Sequence, residues 1–181
     1  MTSAARRAQD VGIALLFGGN VFGRRAMHPA VEWISSAAER GKVVNEAWRR
    51  YGVFNSLGLA SLVAGWALER RSQPDPLHDA AAVAVAVTGV ASAIEGVRFA
   101  RSAPAGAVPL QSGSEPSLDT PQPAVRTKRL LNALGQASAL AEIAFIVTRR
   151  CSARHRRARL PRRCVARRGA VRGAPRGRAP R

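Results

Sequence analysis

Between Arg50 and Glu69 the chain runs for 18 residues without a charged side chain, inside the stretch "WRRYGVFNSLGLASLVAGWALERR". Such a run must either be buried on all sides by other protein or lie among lipid tails. Trp48 and Trp66 are 18 residues apart, which is about 27 Å along a helix. That approaches the roughly 30 Å of a bilayer hydrocarbon core. Arg49 and Arg50 stand beside one tryptophan, and Arg70 and Arg71 lie just past the other. Indoles at headgroup level with cations beyond them are what a membrane interface favours. A buried helix of a soluble bundle is the competing reading, and it gives no reason for matched aromatic and basic ends. The membrane reading is preferred.

Three further segments are apolar. "VGIALLFGGNVFG", residues 11–23, has the length of a signal-peptide core and follows Arg6 and Arg7. Asp10 and the following "GRRAM" argue against that reading. A short first span fits better, lengthened by Arg24 and Arg25 reaching for the interface. Pro29 is expected to break or kink the helix. "AVEWISSAAER" then reads as an amphipathic turn and helix, with Gly41 as its C-cap. In "DAAAVAVAVTGVASAIEGVRFA", residues 79–100, valine alternates like a strand, but the apolar run is too long for one and its alanines favour helix. Pro74 and Pro76 mark the turn before it. "LLNALGQASALAEIAFIVT", residues 130–148, is the fourth segment. The expected fold is therefore all-α, a transmembrane four-helix bundle in residues 1–148. Its helices are expected near 9–27, 42–71, 77–100 and 126–148. Residues 101–125, rich in Pro, Ser and Gly, are expected to be a flexible, solvated loop. Small residues at Gly19 and Gly23, Ser61 and Gly65, and Gly89 and Ala93 have the spacing that lets membrane helices approach closely.

Charge divides the chain in two. The net charge is +18, yet residues 149–181 hold 14 arginines and no acid. The remaining 15 basic and 11 acidic residues leave residues 1–148 at only +4. In a four-span arrangement, Arg24, Arg25, Arg40, Lys42, Arg49, Arg50, Arg98, Arg101, Arg126, Lys128 and Arg129 fall on one side. Arg6, Arg7, Arg70 and Arg71 fall on the other. Cytoplasmic connections carry the excess of Lys and Arg, so the body puts its two long connections inside. A 14-arginine tail would then lie outside. Three accounts resolve the conflict: the tail dominates orientation, the fourth segment fails to cross, or the tail is a frameshifted ending. The last is preferred, because CGN arginine codons read in another frame of GC-rich DNA become Ala, Val, Gly, Ser or Pro. As a genuine segment, 149–181 would be a disordered polybasic tail that attracts anionic lipid or nucleic-acid phosphate without base stacking.

Catalytic signatures are lacking: there are no paired carboxylates, nucleophile triads or phosphate loops. Cys151, His155 and Cys164 are three irregularly spaced ligands and make no metal site. What remains are polar residues inside or beside apolar segments: Asn20, Arg24, Asn55, Glu95, Arg98, Asn132, Gln136 and Glu142. Intramembrane ionisable groups are costly and often functional. Glu95 and Arg98 sit at i, i+3 on one helix face. They form either an interfacial ion pair, the preferred reading, or part of a polar cavity with Asn20 and Asn55. His28, before Pro29, reads as a solvated turn residue.

The stretches "GGNVFGR", "RGKVVNEAWRRYGVFNSLGLASLVAGW" and "AIEGVRFA" resemble a group of small multi-helix membrane proteins of high-GC bacteria, over about residues 11–148. In layout alone the chain is similar to the anthrone-oxygenase-like family of four-helix membrane proteins. The first resemblance implies location and topology but no activity; the second carries over no catalytic residues. The functional expectation is a structural or small-ligand-binding bundle of the cytoplasmic membrane. The alternatives are a membrane-bound oxidoreductase or oxygenase acting on a lipid-soluble compound, and nucleic-acid or anionic-lipid binding through the tail. The lipid bilayer is the expected partner and a homo-oligomer a further one. Nucleic acid enters only through the tail, and no cofactor can be named.

Overall fold

The computed structural model describes residues 3–102 and 108–159. Four long helices make the body: α1 (Ser3–Phe22), α3 (Ala37–Arg70), α4 (Pro76–Arg101) and α5 (Gln122–Arg159). A π-helical turn (Gly23–Met27) and a short α2 (His28–Val31) extend α1. Among the described residues the only extended pairing is an isolated bridge between Leu110 and Pro116. Helix α1 packs on α3 and α5, and α4 packs on the same two, so the helices close a ring. Neighbours run antiparallel. Trp48 lies over Gly23 while Gly65 meets Ala5, and His78 reaches Thr148 while Phe99 clusters with Ala124.

The packing inverts that of a soluble bundle. Helices α3, α4 and α5 are long and apolar enough to cross a membrane, yet only 17–22% of their most apolar stretches is buried inside the protein. Phe54, Leu57, Val87, Val90, Ile94, Leu140, Ile143 and Val147 point outward. The residues that α3 buries are Gly41, Val44, Gly58, Leu62, Gly65 and Glu69; along its middle α4 buries Ala81, Ala82, Val85 and Gly89, with the larger His78, Glu95 and Phe99 buried towards its two ends. Small residues inside and large ones outside are the pattern of helices solvated by lipid. The backbones of α1 and α3 come close together: a Cβ on Gly12 would stand 2.6 Å from the Gly58 carbonyl oxygen, and one on Gly65 2.6 Å from that of Ala5. A dry cluster of Ile13, Leu16, Leu62, Ala82, Val85 and Phe145 fills the bundle centre.

Several boundaries differ from expectation. Pro29 does not end the first helix. The π turn closes with the His28 N–H bonding to the Gly23 carbonyl, an i→i−5 bond, and Pro29 sits in the first turn of α2. The wider turn accommodates a residue with no N–H to give. Gly41 is not a C-cap but an interior residue of α3. Ser36 is the N-cap, its hydroxyl accepting the Glu39 N–H at 3.3 Å. Gly41 is required because the Val108 carbonyl rests where its Cβ would be. Pro76 opens α4 as the expected turn demands, with Asp75 capping the Leu77 and His78 amides at 3.2 and 3.3 Å. Helix α5 continues past 148 to Arg159, and residues 160–181 of the basic tail lie outside the described residues. Arg149, where the composition changes, belongs to the body: it pairs with Asp10 at 2.6 Å and donates to the Arg6 carbonyl.

The connection expected to be flexible and solvated differs most. Residues 108–121 fold back over one end of the bundle. Val108 and Leu110 are buried with Val31, Val44, Phe99 and Ala124. The Leu110 N–H donates to the Ala37 carbonyl, and Arg40 Nε donates to the Leu110 carbonyl at 2.9 Å. Two apolar side chains and cationic donors to its carbonyls supply the ordering that its Pro/Ser/Gly composition does not suggest.

A Gly12→Val substitution is expected to force α1 off α3 and destabilise the bundle by at least the roughly 1–3 kcal/mol typical of overpacking. Gly18→Val, whose new Cβ would touch nothing, is expected to be neutral. Thermal unfolding of both in detergent micelles checks the pair.

Candidate functional site

Helix α5 carries an unusual inner stripe. Lys128, Leu131, Gly135, Ser138, Glu142, Phe145 and Arg149 follow one another at alternating spacings of three and four, the seam spacing of packed helices. All are buried or half-buried, while Leu130, Leu140, Ile143 and Val147 on the same helix are exposed. The seam that packs against the other helices is therefore polar over most of its length.

Glu142 is its centre. The residue is 1% exposed. Asn20 Nδ2, from α1, donates to both carboxylate oxygens at 2.9 and 3.0 Å. Ser138 Oγ, one turn earlier on α5, donates to Oε1 at 3.0 Å. Arg24, one turn beyond Asn20, reaches across to α5. A Cβ on Gly135 would stand 3.0 Å from Arg24 Nη2, and this is the cation whose field reaches Glu142. Tyr51 of α3 completes the surroundings by donating its hydroxyl to the Leu15 carbonyl. Three donor bonds and a nearby guanidinium satisfy an acid that hydrocarbon would otherwise make prohibitively costly. Below Glu142, the fully buried Phe145 and its apolar cluster seal the interior.

The sequence candidates thus separate. Asn20, Arg24 and Glu142 come together. Glu95 and Arg98 pair with each other at 2.5 Å near the end of α4, with Arg98 largely exposed. This is the ion-pair arrangement, not a cavity shared with Asn20. Asn55 is half-buried and makes no side-chain hydrogen bond among the described residues. Asn132 ties the 108–121 segment by donating to the Ser114 carbonyl at 2.8 Å, and Gln136 is exposed. Of the interface anchors, Trp66 Nε1 donates to Asp79 at 2.7 Å, and Arg70 both covers the Trp66 ring and pairs with Asp79 at 3.1 Å. Arg71 is exposed. At the other rim Trp48 is partly exposed, and Glu46 binds both Arg49 and Arg50 at 2.7 Å. The two guanidinium groups hold the Glu46 carboxyl down at about 2.

Sequence reasoning missed two further polar groups. At the Arg70 end, Gln9 donates to Glu69 at 2.7 Å with both side chains buried, and His78 lies against the Phe145 ring beside Thr148. At the capped end, Lys128 is 5% exposed, donates to the Gly113 carbonyl at 2.9 Å and lies over Phe99. Burial lowers Lys128 to about 8. His28 is not a solvated turn residue. It packs under Gly113 and edge-on to Trp48, and burial, then Lys128, then Arg24 lower it to about 4. The three–four spacing on α5 was the legible signal for Lys128 and Ser138; nothing local marks Gln9 or His28. No group of three or more His, Cys, Asp or Glu side chains among the described residues could hold a metal ion.

Comparison with protein families, with characterised proteins and with solved structures finds no match to this chain.

A double-mutant cycle on Asn20→Ala and Glu142→Ala, read by unfolding in detergent, is expected to give a coupling of about 0.6–1.7 kcal/mol, the range for interhelical polar contacts in membranes. A coupling of zero would mean the two side chains act independently. A second expectation concerns pH. Below its ordinary value of 6.5 the His28 of an unfolded chain takes up a proton, whereas the folded one resists until about 4. Stability is therefore present above about 6.5 and falls as pH drops towards 4. Melting temperatures at pH 7 and pH 4.5 should diverge in the native chain more than in His28→Gln.

Proposed function

We propose that the chain is a multi-pass structural bundle of the cytoplasmic membrane, held in register by the Asn20–Glu142–Ser138 lock. The observation that carries this reading is the inverted packing: large apolar side chains face outward on α3, α4 and α5 while the inner seam of α5 is polar. Helix α1 is the fourth crossing. It alone does not have the length and apolarity of a span, but it lies along α3 from the Ala5–Gly65 contact to the Gly23–Trp48 contact. Those 18 residues correspond to about 27 Å, so α1 shares the depth of its neighbour.

Antiparallel neighbours put the eleven cations of the two long connections at one end. Arg6, Arg7, Arg70 and Arg71 fall at the other. With residues 149–181 left out of the count, this bias favours the capped end on the cytoplasmic side. The closed geometry around Glu142 supports a locking role over an open ligand site, since its oxygens are taken by Asn20 and Ser138 and it meets no solvent.

Both natural cysteines, Cys151 and Cys164, lie near the C-terminus, so replacing them with serine gives a background for labelling. Ser72→Cys is expected to react with a membrane-impermeant maleimide in intact spheroplasts. Gln111→Cys is expected to react only after permeabilisation, and the chain should stay in the carbonate-washed pellet. Release into the supernatant, or labelling of both positions from one side, would overturn the topology.

A further inference from the structure

An open groove of about 250 Å³ lies between α1 and α3 on the outer surface, lined by Gly19, Phe22, Trp48, Arg50, Tyr51 and Phe54 among others. Its walls are fixed. Trp48 meets Tyr51 edge-on at 6.1 Å between ring centroids, and Tyr51 meets Phe54 at the same separation. Gly19 and Gly23 make room for this aromatic ladder, since a side chain on either would overlap Tyr51 or Trp48. The Tyr51 hydroxyl is tied to the Leu15 carbonyl. The aromatic wall is therefore locked to α1 and does not collapse into the groove.

The chemistry of the groove changes over a short distance. Tyr51 and Phe54 lie at the start of the uncharged run of α3, and Phe22 lines the groove from the end of α1. Arg50 is one helical turn from Phe54, about 6 Å along the axis. That is the vertical order of a phospholipid at the membrane boundary, with first methylenes below and phosphate above. The mouth of the groove carries excess positive charge. Glu46 supplies one carboxylate to two guanidinium groups, taking both donors it uses from Arg49 but only Nε from Arg50. The Nη groups of Arg50 make no hydrogen bond among the described residues. A π turn widens a helix locally and recurs at binding sites; here it falls at the groove's mouth.

We propose that this groove binds one anionic phospholipid, its upper acyl segment against Phe22, Tyr51 and Phe54 and its phosphate on the Nη groups of Arg50. The proposal rests on the membrane reading above. Charge selects the occupant: a zwitterionic headgroup carries its own cation beside the phosphate and gains less from the unneutralised guanidinium. The apolar lining, on the surface shared with the outward-facing side chains, selects an acyl chain over a soluble phosphate.

Native mass spectrometry of the full chain in mild detergent, with phosphatidylglycerol and phosphatidylcholine of matched chains, tests it. One phosphatidylglycerol is expected to be retained per chain in preference to phosphatidylcholine. Arg50→Gln should lower that retention about fivefold, the effect of removing one cation near a headgroup, while Arg101→Gln, an exposed arginine on α4, should leave it unchanged. Ala47→Trp, which fills the groove, should lose both lipids. Equal retention of the two headgroups, or equal effects of the Arg50 and Arg101 substitutions, would overturn the groove site. A chain that stays folded and soluble once detergent is removed would overturn the membrane reading itself, a distinguishable result.

Discussion

Hydrocarbon cannot hydrogen-bond, so a backbone or charged group carried into it is costly unless it finds its partner inside the protein. That constraint accounts for the arrangement of this bundle. The four helices meet their backbone demand internally, and their outer faces are free to be Val, Leu, Ile and Phe. Without a hydrophobic drive between helices, association depends on close contact. Small residues accordingly fill many of the buried positions, Gly41, Gly58 and Gly65 on α3 and Ala81, Ala82 and Gly89 on α4, and α1 and α3 touch backbone to backbone at Gly12 and Gly58.

The same constraint makes Glu142 informative. A buried ion or acid rarely adds net stability over a well-packed apolar side chain. Its value lies in excluding other arrangements. Ser138 serves Glu142 within α5 in any register, whereas the two bonds from Asn20 form only when that residue of α1 stands level with the carboxylate. Sliding α1 by one turn along α5 would bring Arg24 or Leu16 to the carboxylate instead and leave Asn20 without its acceptor. The apolar cluster around Phe145 would accept several registers with modest loss. The lock and the dry core thus divide the work, one fixing register and the other filling space.

The sequence exposed the parts of this design that rest on local rules. Residues 51–68, with Trp48 just before them and Trp66 near their end, are legible because length and interface chemistry are one-dimensional properties. The membership of Asn20, Arg24 and Glu142 in the polar set was legible for the same reason; their meeting was not, since it depends on how α1 and α5 are rotated. Ser36 with Glu39 is an S-x-x-E capping signature; it puts the start of α3 at Ala37, five residues before the expected 42, and so makes Gly41 an interior residue. Residues 108–121 depart from the flexible loop that 101–125 suggests because composition records how little apolar surface a loop owns, not how well it is used. Val108 and Leu110 enter a cluster built by four other elements, and Arg40, Lys128 and Asn132 reach carbonyls far along the chain. Such contacts leave no periodic trace.

The two ends of the bundle handle charge differently. At the Arg70 end, cations meet acids across helices: Arg149 with Asp10, and Arg70 with Asp79. At the capped end the inter-element bonds run from cations to backbone carbonyls, as with Arg40 to Ile34 and Leu110 and Lys128 to Gly113. A carbonyl satisfies a donor without cancelling its charge. The cap is therefore held together by bonds that leave the end positive, and its carboxylate–guanidinium contacts, Glu46 with Arg49 and Arg50 and Glu95 with Arg98, stay within single helices. Fields of the same sign add over such distances at a low-dielectric boundary. Within residues 3–149 the two ends thus differ in what holds their cations: backbone carbonyls and acids of the same helix at the capped end, acids of a neighbouring helix at the other. Under the topology proposed above, the choice of hydrogen-bond acceptor adds to the arginine count of the two long connections in setting the capped end on the cytoplasmic side.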